Sequence, residues 1–193
     1  MAESSKRTLV LLRHAKSAWP DVTDHDRPLA PRGRRDAPVM GRWLRQADCT
    51  PDHVLCSTAR RARQTWQLAE AGLRKSPPVT FEHGIYGASA AGLLDLIRHA
   101  PSAARTVAVV GHDPAVQEVA LALAGAAPDA DRGAAEDELS PGALERMRTK
   151  FPTAAIAVLE FSGPWSGLGQ GHARLARFVT PRELAGQAQA DSS

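Results

Sequence analysis

Cysteine, aromatic residues and long apolar runs are all scarce in this sequence. Its 193 residues include two cysteines, one tyrosine, four phenylalanines and four tryptophans. Cys49 and Cys56 have no CxxC or CxxH neighbour, so we expect two buried thiols rather than a zinc site or a disulfide framework. The longest apolar run near the start, Leu9 to Leu12, is far shorter than the roughly 20 residues of a membrane span. These features predict a cytoplasmic protein without membrane association, bound metal or cofactor.

Charge of either sign is not in large excess, because the formal net charge is only +3. Six arginines nevertheless fall between Arg27 and Arg45, which raises the question of nucleic-acid binding. Aromatic residues do not alternate with these arginines, and no nucleic-acid-binding motif accompanies them. We interpret most of the cluster as the solvated face of a helix and expect no nucleic-acid partner.

The length suits one domain, and the composition is that of an ordinary globular protein. Hydrophobic residues make up 43% of the chain and charged residues 23%. We predict a single domain over residues 1–193, with flexible tails at 1–7 and 187–193. The segment 125–142, rich in Ala, Asp, Glu and Gly, is interpreted as a mobile surface connection, with a helix starting at Ser140-Pro141.

Short apolar runs alternate with stretches whose apolar residues recur at helical spacing. The spacing predicts helices around 37–47, 62–69, 93–99 and 116–124. The alternation predicts an α/β fold with a mostly parallel central sheet and helices on both faces. The predicted strands are Thr8 to Leu12, His53 to Cys56, Thr106 to Val110, Ala154 to Phe161 and Ala173 to Val179.

Two of the predicted strands end in histidine-containing segments. Arg13-His14 follows the first strand, and Gly111-His112 follows the strand that ends at Val110. Ligands of open α/β sheets bind beyond the carboxyl ends of the strands, so both imidazoles are expected to face one crevice. A phosphoryl-transfer site needs cations around the phosphate and a nucleophile in line with the leaving group. Arg13 supplies one such cation, and His14 supplies a nucleophile.

Four segments resemble motifs of the histidine phosphatase superfamily. Leu12 to Ser17 (LRHAKS) is similar to its signature, with Ala15 in place of the usual glycine, and Gly111-His112 resembles its second histidine segment. Ser57 to Thr65 (STARRARQT) resembles the stretch that carries its second arginine. Asp26 to Leu29 (DRPL) resembles the short bacterial branch of phosphohistidine phosphatases. The resemblance spans residues 8 to 114 and implies a phosphoglycerate mutase-like fold.

The resemblance also implies a role for each matching residue. His14 is then a catalytic nucleophile that attacks phosphorus as the neutral imidazole, forming a phosphohistidine that water hydrolyses. Arg13 and Arg61, rather than Arg60, bind the phosphate and lower the pKa of His14 by charge repulsion. Arg27 adds a third cation if its loop folds inward. His112 donates a hydrogen bond to a phosphoryl oxygen in the transition state.

The acid that protonates the leaving group is not assigned by the sequence. Relatives that cleave phosphate esters use a Glu or Asp between the second arginine and the second histidine. Glu82 lies in that interval, and Asp113 follows His112 directly. If neither carboxyl serves, a substrate with a good leaving group is favoured, such as phosphohistidine itself.

Three functions follow from these observations. The leading hypothesis is a phosphatase for phosphohistidine or another phosphorylated protein. The second is a phosphatase for a small phosphorylated metabolite, and the third is a catalytically silent module that binds phosphate. Arg13, His14, Arg61 and His112 together favour an enzyme, because a phosphate-binding module has no need of a nucleophile. The physiological substrate and the oligomeric state stay open.

Overall fold

Six strands form one sheet in the computed structural model, which describes residues 6–125 and 142–190. Their order across the sheet is β3-β2-β4-β1-β5-β6. Only β5 runs against its neighbours, so the predicted mostly parallel sheet is confirmed. The strands are β1 (Lys6–Arg13), β2 (His53–Ser57), β3 (Val79–Glu82), β4 (Thr106–Gly111), β5 (Ile156–Ser162) and β6 (Arg174–Val179).

Helices cover both faces of the sheet, as the sequence predicts. They are α1 (Pro31–Gln46), α2 (Arg60–Glu70), α3 (Ala90–Arg98), α4 (Ala115–Ala124), α5 (Ala143–Thr149) and α6 (Pro181–Ala190). Side chains of β1 alternate between two cores: Leu9 and Leu11 pack with α3, α4 and α5, whereas Val10 and Leu12 pack with α1, α2 and α6. Because both faces are covered, the central strands are apolar at successive positions, without polar alternation.

The arginine cluster divides between helix α1 and the loop before it. Five of its six members lie on α1 and are exposed: Arg32, Arg34, Arg35, Arg42 and Arg45. The opposite side of α1 buries Ala37, Met40 and Leu44 against the sheet. The predicted solvated helix face is therefore confirmed for these five arginines. Arg27 is different, because it lies in the preceding loop and is buried.

The structure differs from the sequence-based prediction in three places. Strand β3 was not predicted, because it has only four residues, none of them fully buried, and so lacks a clear apolar pattern. Lys6 and Arg7 belong to β1 rather than to a flexible tail, since they pair with β5. Helix α6 continues to Ala190, past the predicted start of the second tail at residue 187. The predicted connection at 126–141, the helix start at Ser140-Pro141 and the ends 1–5 and 191–193 lie outside the described residues.

The two cysteines are buried free thiols, as predicted. Burial raises the pKa of the Cys56 thiol to about 12, so it is unreactive at neutral pH. Within residues 6–125 and 142–190, no three His, Cys, Asp or Glu side chains are arranged to bind a metal ion. No helix in the same ranges is long and apolar enough to cross a bilayer.

Gly33 allows helix α1 to approach the loop that follows β1. A Cβ atom at this position would lie 2.2 Å from the Lys16 carbonyl oxygen. We expect Gly33→Ala to lower the free energy of unfolding by about 1–3 kcal/mol, because backbone atoms must move to admit the methyl group. Urea unfolding measures this loss. Gly186→Ala in α6 is the matched control, since no atom lies within 4 Å of the added Cβ; equal stability of the two variants would contradict the prediction.

Candidate active site

Two histidines meet at the carboxyl ends of β1 and β4. The last residue of β1, Arg13, pairs with Gly111 at the end of β4. The His14 amide N–H donates to the Gly111 carbonyl oxygen at 3.0 Å, which continues the parallel pairing by one residue. The imidazole rings of His14 and His112 lie 5.1 Å apart between centroids. The structure thus brings together the two histidines that the sequence placed at separate strand ends.

The His14 ring is held as a neutral imidazole with a defined tautomer. Its Nδ1 lies 2.8 Å from the Ala15 carbonyl oxygen, and because a carbonyl can only accept, Nδ1 carries the hydrogen. The pKa of His14 is lowered to about 3, mainly by burial and then by His112, Arg61 and Arg13. The predicted low pKa is confirmed, but burial rather than arginine charge is its largest cause. The lone pair of Nε2 is therefore free at neutral pH.

His112 is fixed by the end of strand β2. Its Nε2 lies 2.7 Å from the hydroxyl oxygen of Ser57, the last residue of β2, and that oxygen also accepts the Ala59 amide N–H at 3.3 Å. Burial and the charge of Arg61 lower the pKa of His112 to about 4. Among the described residues, Nδ1 of His112 has no hydrogen-bond partner. Both histidines of the site are thus neutral at pH 7.

The protonation of His14 can be tested by NMR titration in phosphate-free buffer. Because a lowered pKa keeps the ring neutral until the pH falls through about 3, the His14 Cε1–H shift should stay constant between pH 8 and pH 5. An imidazole with the ordinary pKa of about 6.5 would be more than 90% protonated at pH 5. Loss of the resonance in His14→Gln assigns it. A titration midpoint between pH 6 and 7 would contradict the prediction.

Two buried arginines are joined by one carboxylate. Arg61, in the first turn of α2, donates to the Asp24 backbone carbonyl at 2.6 Å and to the Asp24 carboxylate at 3.1 Å. Arg27 donates to the other oxygen of that carboxylate at 2.7 Å. The Tyr86 hydroxyl donates to the same carboxylate oxygen as Arg61, at 2.8 Å. Hydrogen bonds from Arg27, Tyr86 and Arg61 hold the pKa of Asp24 well below its usual range, so it is ionised.

Arg13 directly precedes the nucleophile and contacts a different set of partners. Its guanidinium donates to the Phe151 carbonyl at 2.5 Å and forms an ion pair with Asp113 at 3.0 Å. Burial raises the pKa of Asp113 from its ordinary value, and Arg13 opposes that rise. Glu82 ends β3 in register with Ser57, and its carboxylate makes no hydrogen bond or ion pair with any other described residue. Of the two candidate acids, only Asp113 contacts a predicted site residue.

The loop after His14 is anchored to the helix that carries Arg61. The Ala15 amide N–H donates to the Thr65 hydroxyl at 2.9 Å, and that hydroxyl donates to the Arg61 carbonyl at 2.7 Å. Ala15 is fully buried and packs in the core beneath α1 and α2. Its backbone is not left-handed, so a side chain is tolerated where related sequences have glycine.

A small cavity opens beside the nucleophile. Its volume is about 190 Å³. Its wall includes four predicted site residues, Arg13, His14, Arg27 and Arg61, and it is completed by Lys16, Ser17, Trp19 and Thr153. The Arg27 loop therefore folds inward, which the sequence left conditional. His112 is not part of the cavity wall, but its ring lies beside that of His14.

Sequence reasoning missed the polar residues that hold the predicted ones in place. These are Asp24, Ser57, Thr65 and Tyr86. Ser57 and Thr65 have a usable signal, because they begin and end the motif Ser57 to Thr65, and Ser57 directly follows the predicted strand His53 to Cys56. Asp24 and Tyr86 lie in loops 62 residues apart, so no local pattern links them.

A neutral imidazole surrounded by three guanidinium groups, at the carboxyl edge of a parallel sheet, defines a phosphoryl-transfer site. The sequence matches the profile of the histidine phosphatase superfamily, branch 1, over residues 9–85. An uncharacterised Mycobacterium tuberculosis protein is 42% identical over 173 residues, which is 89% of this chain and all of that protein. The chain therefore belongs to the histidine phosphatase superfamily, and its enzyme class is that of a phosphatase.

Solved structures agree with this assignment. A candidate phosphohistidine phosphatase SixA from Nakamurella multipartitia is 35% identical, with a TM-score of 0.76 over 92% of this chain and 97% of that chain. A candidate phosphohistidine phosphatase SixA from Agrobacterium tumefaciens is 29% identical, with a TM-score of 0.70 over 91% of this chain and 98% of that chain. The predicted phosphoglycerate mutase-like fold of the short bacterial branch is confirmed by this similarity.

Proposed function

We propose that this phosphatase hydrolyses phosphohistidine in proteins through a covalent intermediate on His14. The observation that supports it most strongly is the state of His14, whose Nδ1–H is bound by the Ala15 carbonyl and whose Nε2 lone pair is unprotonated at neutral pH. Nε2 attacks phosphorus, and a new P–N bond forms on His14. The substrate P–N bond breaks and its electron pair stays on the substrate ring, which leaves as neutral imidazole because its other ring nitrogen already carries a proton. Water then hydrolyses phospho-His14 and releases phosphate.

The cations of the site stabilise the phosphoryl group during both steps. Arg13, Arg27 and Arg61 bind its oxygens through charge-assisted hydrogen bonds, which are stronger than neutral ones. His112 lies beside the nucleophile, with its ring centroid 5.1 Å from that of His14, and in this proposal it donates a hydrogen bond to a phosphoryl oxygen in the transition state. These donors are aimed before substrate arrives, so little reorganisation accompanies the reaction.

The surroundings of the carboxyl groups favour phosphohistidine over phosphate esters. An alkoxide leaves poorly without a proton, whereas imidazole is a good leaving group. Asp24 is ionised and bound by two arginines, and the Glu82 carboxylate makes no hydrogen bond or ion pair with another described residue. Asp113 is the carboxyl group that supports the alternative, a phosphatase for small phosphate esters, because burial raises its pKa towards that of a useful acid.

A comparison of three substrates without added metal tests the proposal. We expect a phosphohistidine peptide to be hydrolysed with a kcat/KM at least about tenfold above that for a phosphoserine peptide, whose alkoxide needs a proton to leave. The third substrate, p-nitrophenyl phosphate, releases a phenolate that needs no acid, so it reports the turnover of an ester without that requirement. Asp113→Asn should leave the phosphohistidine reaction within about threefold of wild type. Preference for the esters, with loss in Asp113→Asn, would instead establish the small-ester phosphatase. Phosphate binding without turnover of any substrate would establish the silent binding module.

A further inference from the structure

Trp19 is a large apolar side chain that is exposed beside the nucleophile. It is 77% exposed, more than any other large hydrophobic residue that the structure describes, and it lines the cavity that contains His14. Exposed tryptophan at a concave site is typical of ligand contact, because an indole ring offers a broad apolar face. The phosphoryl chemistry described above makes no use of this ring.

The ring is nevertheless held in one orientation. The Arg27 guanidinium carbon lies 3.2 Å from the centroid of the indole ring, so the two planar groups are in direct contact. Arg27 is fixed in turn by hydrogen bonds to the Ala18 carbonyl, the Asp24 carboxylate and the Ser17 hydroxyl. Because one face of Trp19 is covered by a guanidinium and most of the side chain is exposed, the ring is a fixed aromatic surface open to a ligand.

The aromatic surface of Trp19 is positioned to contact the leaving group of the substrate. Arg27 contacts the phosphoryl group in the proposed mechanism, and Trp19 stacks on Arg27, so a group attached to phosphorus passes close to the indole ring. The cavity of about 190 Å³ is lined by Trp19 together with His14 and the three arginines, so the phosphoryl group and the atoms attached to it share this space with the indole ring. A flat ring gains stacking energy from an indole face that an alkyl chain does not gain.

We infer that Trp19 forms a leaving-group subsite that binds the imidazole ring of phosphohistidine by stacking, with Lys16 lining the same cavity beside it. The inference rests on the proposed function, since it names the residue that selects that substrate. Lys16 is exposed and makes no side-chain ion pair within the described residues. Its ammonium group faces a substrate that carries two negative charges on phosphate, which adds attraction without distinguishing one leaving group from another.

Two substrates that both contain a P–N bond, only one of which contains a ring, distinguish binding of the leaving-group ring from binding of the phosphoryl group. Phosphohistidine carries the imidazole ring, whereas inorganic phosphoramidate releases ammonia and has no ring. In Trp19→Ala we expect the ratio of kcat/KM for phosphohistidine to kcat/KM for phosphoramidate to fall about five- to tenfold. Trp19→Phe should restore the ratio to within about twofold, because an aromatic face is regained.

Val22→Ala is the matched control, because Val22 is 47% exposed in the same loop and does not line the cavity; its ratio should equal that of wild type. An equal loss of both reactions in Trp19→Ala would assign Trp19 to support of Arg27 and overturn the subsite. An unchanged ratio would overturn it as well. If wild type hydrolyses neither P–N compound, the proposed function itself fails, and the subsite fails with it.

Discussion

Replacing His14 by alanine is expected to reduce kcat for every phosphorylated substrate by at least about 10³-fold. The reason is that the proposed reaction forms its covalent bond at Nε2, and no neighbouring group offers an equivalent nucleophile. His112 is the nearest imidazole, with its ring centroid 5.1 Å away, but its Nε2 is bound to Ser57. Its Nδ1 is buried.

The covalent intermediate gives a second measurement of the same prediction. Rapid quenching of wild type with a ³²P-labelled substrate should trap a phosphoenzyme that is stable in base and labile in acid, as expected of a P–N bond. His14→Ala should form none. His99→Ala is the control, since His99 is exposed at the end of α3 and should affect neither turnover nor labelling. A labelled or active His14→Ala protein would refute the assignment of the nucleophile.

Replacing Arg61 by lysine is expected to lower kcat/KM by about 10²–10³-fold. Arg61 is only 7% exposed, and its two terminal nitrogens bind separate oxygens of Asp24. A lysine ammonium retains the charge but cannot reproduce the planar fork that orients these donors. It also breaks the link through Asp24 to Arg27, so the loss should exceed that of a single phosphate contact.

Arg60→Lys is the matched control for this substitution. Arg60 precedes Arg61 in the same helical turn, but its side chain is exposed and does not line the cavity beside His14. We expect Arg60→Lys to keep kcat/KM within about twofold of wild type. Circular dichroism and urea unfolding check that both variants fold. A large loss in Arg60→Lys with little change in Arg61→Lys would reverse the assignment made from the sequence.

The parts of this fold that can be predicted are those that depend on residues close together in the sequence. Successive apolar residues in β1 predict a strand covered on both faces, and the recurrence of Ala37, Met40 and Leu44 predicts one buried face of α1. Strand β3 escaped prediction because its four residues are stabilised by pairing with β2 rather than by a local apolar pattern. The same limit applies at Lys6, whose strand conformation depends on pairing with Ser162.

The sequence by itself determined the class of chemistry, because Arg13-His14, Arg61 and Gly111-His112 supply a nucleophile and cations at the ends of predicted strands. Only the tertiary structure decided how these groups are held. The Ala15 carbonyl fixes the tautomer of His14, Ser57 holds His112, and Asp24 joins Arg27 to Arg61. The contacts of Ser57 with His112 and of Asp24 with Arg61 join residues that are distant in sequence, whereas the Asp24–Arg27 contact spans three residues and the Ala15–His14 contact joins neighbours. Burial likewise arises only on folding, and it is the largest cause of the low pKa of His14.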